Sequence, residues 1–164
     1  MTSLLTDEIR ALLGREVVYE APEEVGRASI RYFATAIGTN NPVYTDAEFA
    51  RGHGFTDVIA PPTFVCETNQ FTPMPPDDDG YAGHSWDIEI PGTRLLRGGN
   101  EYEFFRPLLP EDRITVRWQI ADATERTSST GRSLLILISE ATYLDAAGET
   151  VATNRETLVF QEIE

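Results

Sequence analysis

The sequence predicts an α+β fold in which an antiparallel sheet wraps around a short central helix. Three observations carry that expectation. Apolar residues recur at helical spacing before residue 40, a brief apolar segment opened by paired prolines follows, and from Gly98 onward the period changes to two. The length of 164 residues suits a single domain, 1–164, with a sizeable core.

The elements can be justified in chain order. MTSLLTDEIRALLGRE is acidic and amphipathic and lacks the basic start and small-residue cleavage site of a signal peptide. Glu16–Tyr19 (EVVY) is a short strand candidate. In APEEVGRASIRYFATAIG, Val25, Ile30, Phe33, Ala34 and Ile37 recur at spacings near three and four, which predicts a helix with one apolar face closed by Gly38. DAEFARGHGF reads as a helical turn running into a glycine-rich bend. IAPPTFVCETNQF predicts a helix with proline in its first turn, stopped after Phe71 by TPMPPDDDG and so roughly 15 Å long. NEYEFFRPL, RITVRWQIADATERT, SLLILISEATYLD and ETVATNRETLVFQEI are four strands joined by LPED, SSTGR and AAGE turns. SLLILIS is apolar at both parities, which predicts a central strand covered on both faces.

Charge excludes several functions. The formal net charge is −14 and every basic residue is arginine, so nucleic acid and anionic membrane are poor partners and a lysine Schiff base is ruled out. Arg94, Arg97 and Arg106 come nearest to a basic patch, although the first two read more readily as solvated surface than as a phosphate clamp. No apolar run approaches the ~20 residues of a membrane span. The one cysteine, Cys66, allows no intrachain disulfide, reads as a small buried hydrophobe and fits a reducing, cytoplasmic setting. His53 and His84 read as solvated loop residues, and two isolated histidines make no metal site.

One stretch asks for more. By its residues alone, GTNNPVYTD (38–46) is a helix C-cap followed by an Asx-rich turn. Yet FATAIGTNNPVYTDAEFA, followed a dozen residues later by VIAPPTF, resembles the MaoC-like (R)-specific enoyl-CoA hydratase family of hotdog folds. Within that family it is most similar to the FAS1-like dehydratase N-terminal branch. GGNEYEFFRPLLPEDRITV and GETVATNRETLVF extend the resemblance over nearly the whole chain.

The resemblance implies a single hotdog, and in catalytic members a loop of the form G-D-x-N-P-hydrophobic-H-x-D whose Asp and His activate water. It also implies an oxyanion donor, a backbone N–H at the start of the central helix. Gly38, Asn41, Pro42 and Asp46 match that pattern, whereas Thr39 stands at the Asp position, Tyr44 at the His and Pro62 at the donor glycine. A threonine hydroxyl is no base near neutral pH, tyrosine titrates near 10, and proline has no N–H to donate. NNP still shapes the turn, and Asp46 is placed to cap the next helix.

The resemblance therefore implies no catalytic residues and no cofactor in this chain. It implies a non-catalytic, substrate-accommodating subunit of a (3R)-hydroxyacyl-thioester dehydratase or enoyl-CoA hydratase, paired with a catalytic MaoC-like hotdog chain as a heterodimer or heterotetramer. The substrate would be an acyl-CoA or acyl-carrier-protein thioester, contacted by Thr39, Asn41, Tyr44, Pro62, Phe64, Phe71, Trp86, Arg94 and Arg97. Because prolines stop the central helix, a space lined by Phe64, Phe71 and Trp86 would admit a bulky acyl group, unless residues 72–86 fold back and plug it. A binding or regulatory module without an enzymatic partner is the alternative, and a thioesterase using Asp46 or Glu67 is the least favoured.

Overall fold

The structure, a computed structural model, describes residues 3–71, 78 and 83–163, with side chains of 67–71 outside the described set. Five strands form one antiparallel sheet in the order β1-β3-β4-β5-β2: β1 (Glu16–Glu20), β2 (Thr93–Phe104), β3 (Thr115–Thr127), β4 (Ser133–Leu144) and β5 (Thr150–Glu162). Three short helices, α1 (Asp7–Arg10), α2 (Arg27–Ala36) and α3 (Ala47–Gly52), and a central 3₁₀ helix, Pro62–Phe71, complete the α+β fold. No helix among the described residues is long and apolar enough to cross a membrane.

Strand β4 lies at the centre of the sheet, as its apolar run demands. Leu135, Leu137, Ala141 and Tyr143 are buried at alternating positions and share one core with Phe64 and Val65 of the central helix. Val65 is 1% exposed, and Phe64 meets Phe33 of α2 edge-on at 5.3 Å. The expected double coverage of β4 is corrected. Leu134, Ile136 and Ile138 on its second face are only half-buried, flanked by β3 and β5.

Other boundaries shift for local reasons. The central helix has 3₁₀ geometry, so its ten residues span roughly 20 Å at ~2.0 Å per residue rather than 15 Å. Val25 is buried ahead of α2, whose N-cap Gly26 has φ 74°, and Ile37 lies half-exposed at the C-cap. Gly38 (φ 72°) ends the helix as expected. The last two hairpins run as read, but LPED closes no hairpin, because β2 crosses over to pair with β5 instead of β3, and β2 begins at Thr93, earlier than the alternation suggested. Gly98 hides that start. It sits at a register shift between Arg97 and Gly99, where a Cβ would come 2.9 Å from Thr157 Cγ2.

Strand β2 is an edge of unusual character. It is twelve residues long, and its side chains are exposed along almost its whole length, Leu95, Leu96 and Phe104 among them. The opposite edge, β1, has only five residues. A long edge with apolar side chains invites pairing with another chain.

Candidate functional site

The loop after α2 is built by its own polar side chains. Asn41 Oδ1 accepts from Val43 N–H at 3.2 Å and opens a single 3₁₀ turn, Pro42–Tyr44. Asp46 Oδ1 accepts from Glu48 and Phe49 N–H at 2.9 and 3.0 Å, capping α3 as the sequence suggested. Thr39 Oγ1 accepts from Asn41 N–H at 3.4 Å. Two bonds clamp the approach to the central helix: Ile59 N–H donates to Val43 O at 3.2 Å, and Ala60 N–H to Leu108 O at 2.8 Å.

This clamp encloses a cavity of about 340 Å³, whose walls include Tyr44, Pro62, Val65, Phe104, Phe105 and Arg106. Tyr44 and Pro62, which stand where the resemblance puts an imidazole and an N–H, thus face one space. Among the described residues of the wall, Arg106 is the charged one. Its guanidinium donates to both carboxylate oxygens of Asp112 at 2.7 and 2.8 Å and to Asp145 Oδ2 at 2.9 Å. These bonds, led by Asp112, raise its pKa further and hold the Asp145 carboxyl below the usual carboxylate range. Arg106 is tied to its own chain, and its charge is locally cancelled. It lies far along β2 from Arg94 and Arg97, so the three arginines form no patch.

A second cavity, of about 250 Å³, opens at the other end of β2. His84, Trp86, Glu156, Leu158 and Phe160 form its buried floor, while Ser85, Asp87, Glu89, Leu95 and Arg97 are exposed at its rim. Asp87, at φ 52°, turns the chain there. Trp86 Nε1–H donates to Ser139 Oγ at 2.8 Å, and Glu156, 6% exposed, is ion-paired with Arg97. His84 is 6% exposed, which corrects its reading as a solvated loop residue. Its ring stacks on Trp118 at 4.7 Å and meets Trp86 edge-on at 4.5 Å, while Nδ1 is bonded to Tyr19 Oη at 3.0 Å. Burial pushes its pKa down to about 4, so the imidazole is neutral at pH 7.

The structure thus brings Tyr44 and Pro62 together at one cavity and Trp86 and Arg97 at the other. Thr39 and Asn41 shape the loop without lining either. Phe64 is corrected from pocket wall to core residue, because Phe33 and the sheet cover it. Arg94 is held outside by Gln161 Oε1, 3.0 Å from Nε. The side chain of Phe71 and most of the suggested plug, 72–86, lie outside the described residues. Cys66 is half-buried, and its Sγ–H donates to Tyr102 Oη at 3.2 Å, which corrects its reading as a fully buried apolar filler. Burial, with Tyr143 and Cys66 beside it, pushes the Tyr102 hydroxyl up.

Sequence reasoning missed His84 and Glu156. Glu156 had a signal: it shares strand parity with Leu158 and Phe160, so an inward carboxylate was legible. His84 had none, since only the packed tryptophans bury it.

Comparison with known proteins identifies the family and the fold. Residues 11–154 match the family described as FAS1-like, dehydratase domain region. A UPF0336 protein of Streptomyces coelicolor is 37% identical over 155 residues, covering 94% of this chain and 96% of its own. The ChsH1-ChsH2 complex from Mycobacterium tuberculosis contains a chain similar at TM-score 0.73 and 19% identity, over 96% of this chain and 89% of that one. The truncated HadBC (3R-hydroxyacyl-ACP dehydratase) complex from the same organism is similar at TM-score 0.63 and 22% identity, over 88% of this chain and 96% of that one. The chain belongs to the FAS1-like dehydratase region family and has the hotdog fold of the MaoC-like dehydratases.

Proposed function

We propose that this chain, one hotdog over residues 1–164, is the non-catalytic, substrate-accommodating subunit of a heteromeric (3R)-hydroxyacyl-thioester dehydratase or enoyl-CoA hydratase. The observation that carries the reading is the shared cavity of Tyr44 and Pro62. Where the family pattern puts a general base and an oxyanion donor, this chain offers a phenol and an imide nitrogen without hydrogen. Acid–base groups of that kind contribute ~10²–10⁴-fold to such reactions.

The exposed edge of β2 supports a hotdog partner. A pseudo-twofold pairing of two such edges runs antiparallel. It sets the partner's loop-end cavity beside the Leu95 end of β2 in this chain, where the cavity over Trp86 opens. The partner would supply the Asp/His loop, and this chain the room for a bulky acyl group held as a CoA or carrier-protein thioester. A cytoplasmic setting goes with that substrate.

Reconstitution tests the reading. The isolated chain is expected to show no hydration of crotonyl-CoA or of a bulky branched enoyl-CoA. Adding a hotdog with an intact G-D-x-N-P-x-H-x-D loop, encoded by a neighbouring gene, should produce turnover with higher kcat/KM on the bulky substrate. Turnover by the isolated chain, abolished by Tyr44→Phe, would overturn the non-catalytic role. A clear preference for crotonyl-CoA would remove the bulky acyl group from it.

A further inference from the structure

We propose that the outer face of the sheet, the side turned away from the central helix, docks on the same face of a second copy of this chain. The strand registers lay that face out in rows, because side chains directly opposite in an antiparallel pair share a side. One row runs Leu96, Val159, Ile136 and Thr124 across β2, β5, β4 and β3. Leu134 borders it on one side and Ile138 on the other. Leu96 is 40% exposed and the other apolar members are half-buried, and none of them packs against the core. Contiguous apolar side chains on an open sheet face mark an interaction surface.

Charge at the two ends of this patch names its occupant. At the Leu134 end stand Arg94 and Arg126, and Arg94 is bonded to the neutral amide of Gln161, which leaves its charge uncancelled there. From Ile138 onward the same face carries Asp122, Glu101, Glu103 and Glu140, which outnumber Arg155 and Arg117. A twofold axis along the strands would set arginine on arginine. An axis in the interface but perpendicular to the strands reverses their direction, so each arginine end meets the other copy's acidic end. With that axis between the Ile136 and Ile138 rows, the two isoleucines meet across it and Arg94 faces Glu101. Leu96 then faces Gly99, where the space is open, with nothing within 4 Å of where a Cβ would stand.

Size and screening allow the contact. Four strands at ~4.8 Å, and the run from Arg94 to Glu103 at ~3.3 Å per residue, make a face of roughly 20 by 30 Å. That is on the scale of the ~800 Å² each partner gives to a standard interface. The net charge of −14 on each copy opposes association at long range. At about 0.15 M salt that repulsion is screened beyond ~8 Å, whereas facing charges in the interface lie closer. The edge of β2 stays open to a hotdog partner, so this contact and that pairing stand or fall separately.

Sedimentation equilibrium of the full chain alone, at about 0.15 M salt, tests the contact. The expected species is a dimer of the 18.3 kDa chain, with Kd of about 1–10 μM. Ile136→Arg puts a charge at the centre of the face and should raise Kd at least about 100-fold, with an unchanged circular dichroism spectrum. Arg94→Glu and Glu101→Arg should each raise Kd about tenfold, and combining them should restore it. Within one chain these two residues are roughly 20 Å apart, so the rescue reports a contact between copies. A chain still monomeric at about 100 μM would leave the face to some other partner and overturn the proposal. A dimer indifferent to Ile136→Arg and to both single swaps would be joined at the β2 edge, and would overturn it as well. Should Ile136→Arg not fold, the swap series decides.

Discussion

The two cavities lie at opposite ends of β2, separated by nine residues, or roughly 30 Å at ~3.3 Å per residue. They differ in kind. The loop-end cavity has a scaffold ordered by Asn41 and Asp46, an arginine neutralised by two aspartates, and two side chains unsuited to acid–base chemistry. The Trp86 cavity carries a buried neutral imidazole with one nitrogen unused, on a floor whose ion pair is closed. A loop can keep its shape whatever reactive groups it carries, because capping bonds and reactive groups sit on different atoms. Polar atoms buried under tryptophans have no such freedom, since each must be paired or filled.

The largest expected effect breaks the wall between core and loop-end cavity. Val65 lines that cavity yet is 1% exposed, so Val65→Asp buries a carboxylate against Leu135 and Leu137. It should cost at least about 4 kcal/mol, leaving the chain unfolded or aggregated in thermal melts. A soluble variant with an unchanged Tm would mean the helix does not pack on the sheet there.

The next effect belongs to the Trp86 cavity and depends on pH. Folding lowers the His84 pKa from 6.5 to about 4, so the unfolded chain takes up a proton through a range in which the folded chain does not. Stability from the neutral, buried ring is therefore complete above pH 6.5 and is lost as pH falls toward 4. The loss should reach about 3 kcal/mol at most, at 1.36 kcal/mol per pH unit. Urea melts across this window should show a shallower pH slope for His84→Phe than for wild type. Identical slopes would place His84 in solvent.

Smaller effects sharpen the contrast. Trp86→Phe keeps an aromatic floor but strips Ser139, 1% exposed, of its donor, and should cost about 1–2 kcal/mol in chemical denaturation. Asp46→Ala removes the cap of α3 at the other end and should cost about 1 kcal/mol. If Asp46→Ala proved the more damaging of the two, the loop would owe its order to that cap far more than to its packing.

By itself the sequence determined the α+β class, the four long strands, the short proline-opened helix, and the capping roles of Gly38 and Asp46. Each of these rests on local physics: period two, period near 3.6, a missing N–H, a side-chain oxygen within reach of the next turn. It also marked Tyr44, Pro62, Trp86 and Arg97, all of which line cavities. Only the tertiary structure decided that the first pair and the second pair belong to different cavities, that Phe64 is core, and that β2 begins before its glycine bulge. It alone buried His84, because that burial comes from Trp118 and Tyr19, dozens of residues away on other strands, and no local pattern around GHSW encodes their approach. Sequence spacing records what a residue can do with its neighbours in the chain. What surrounds its side chain is set by strand register and by long-range packing.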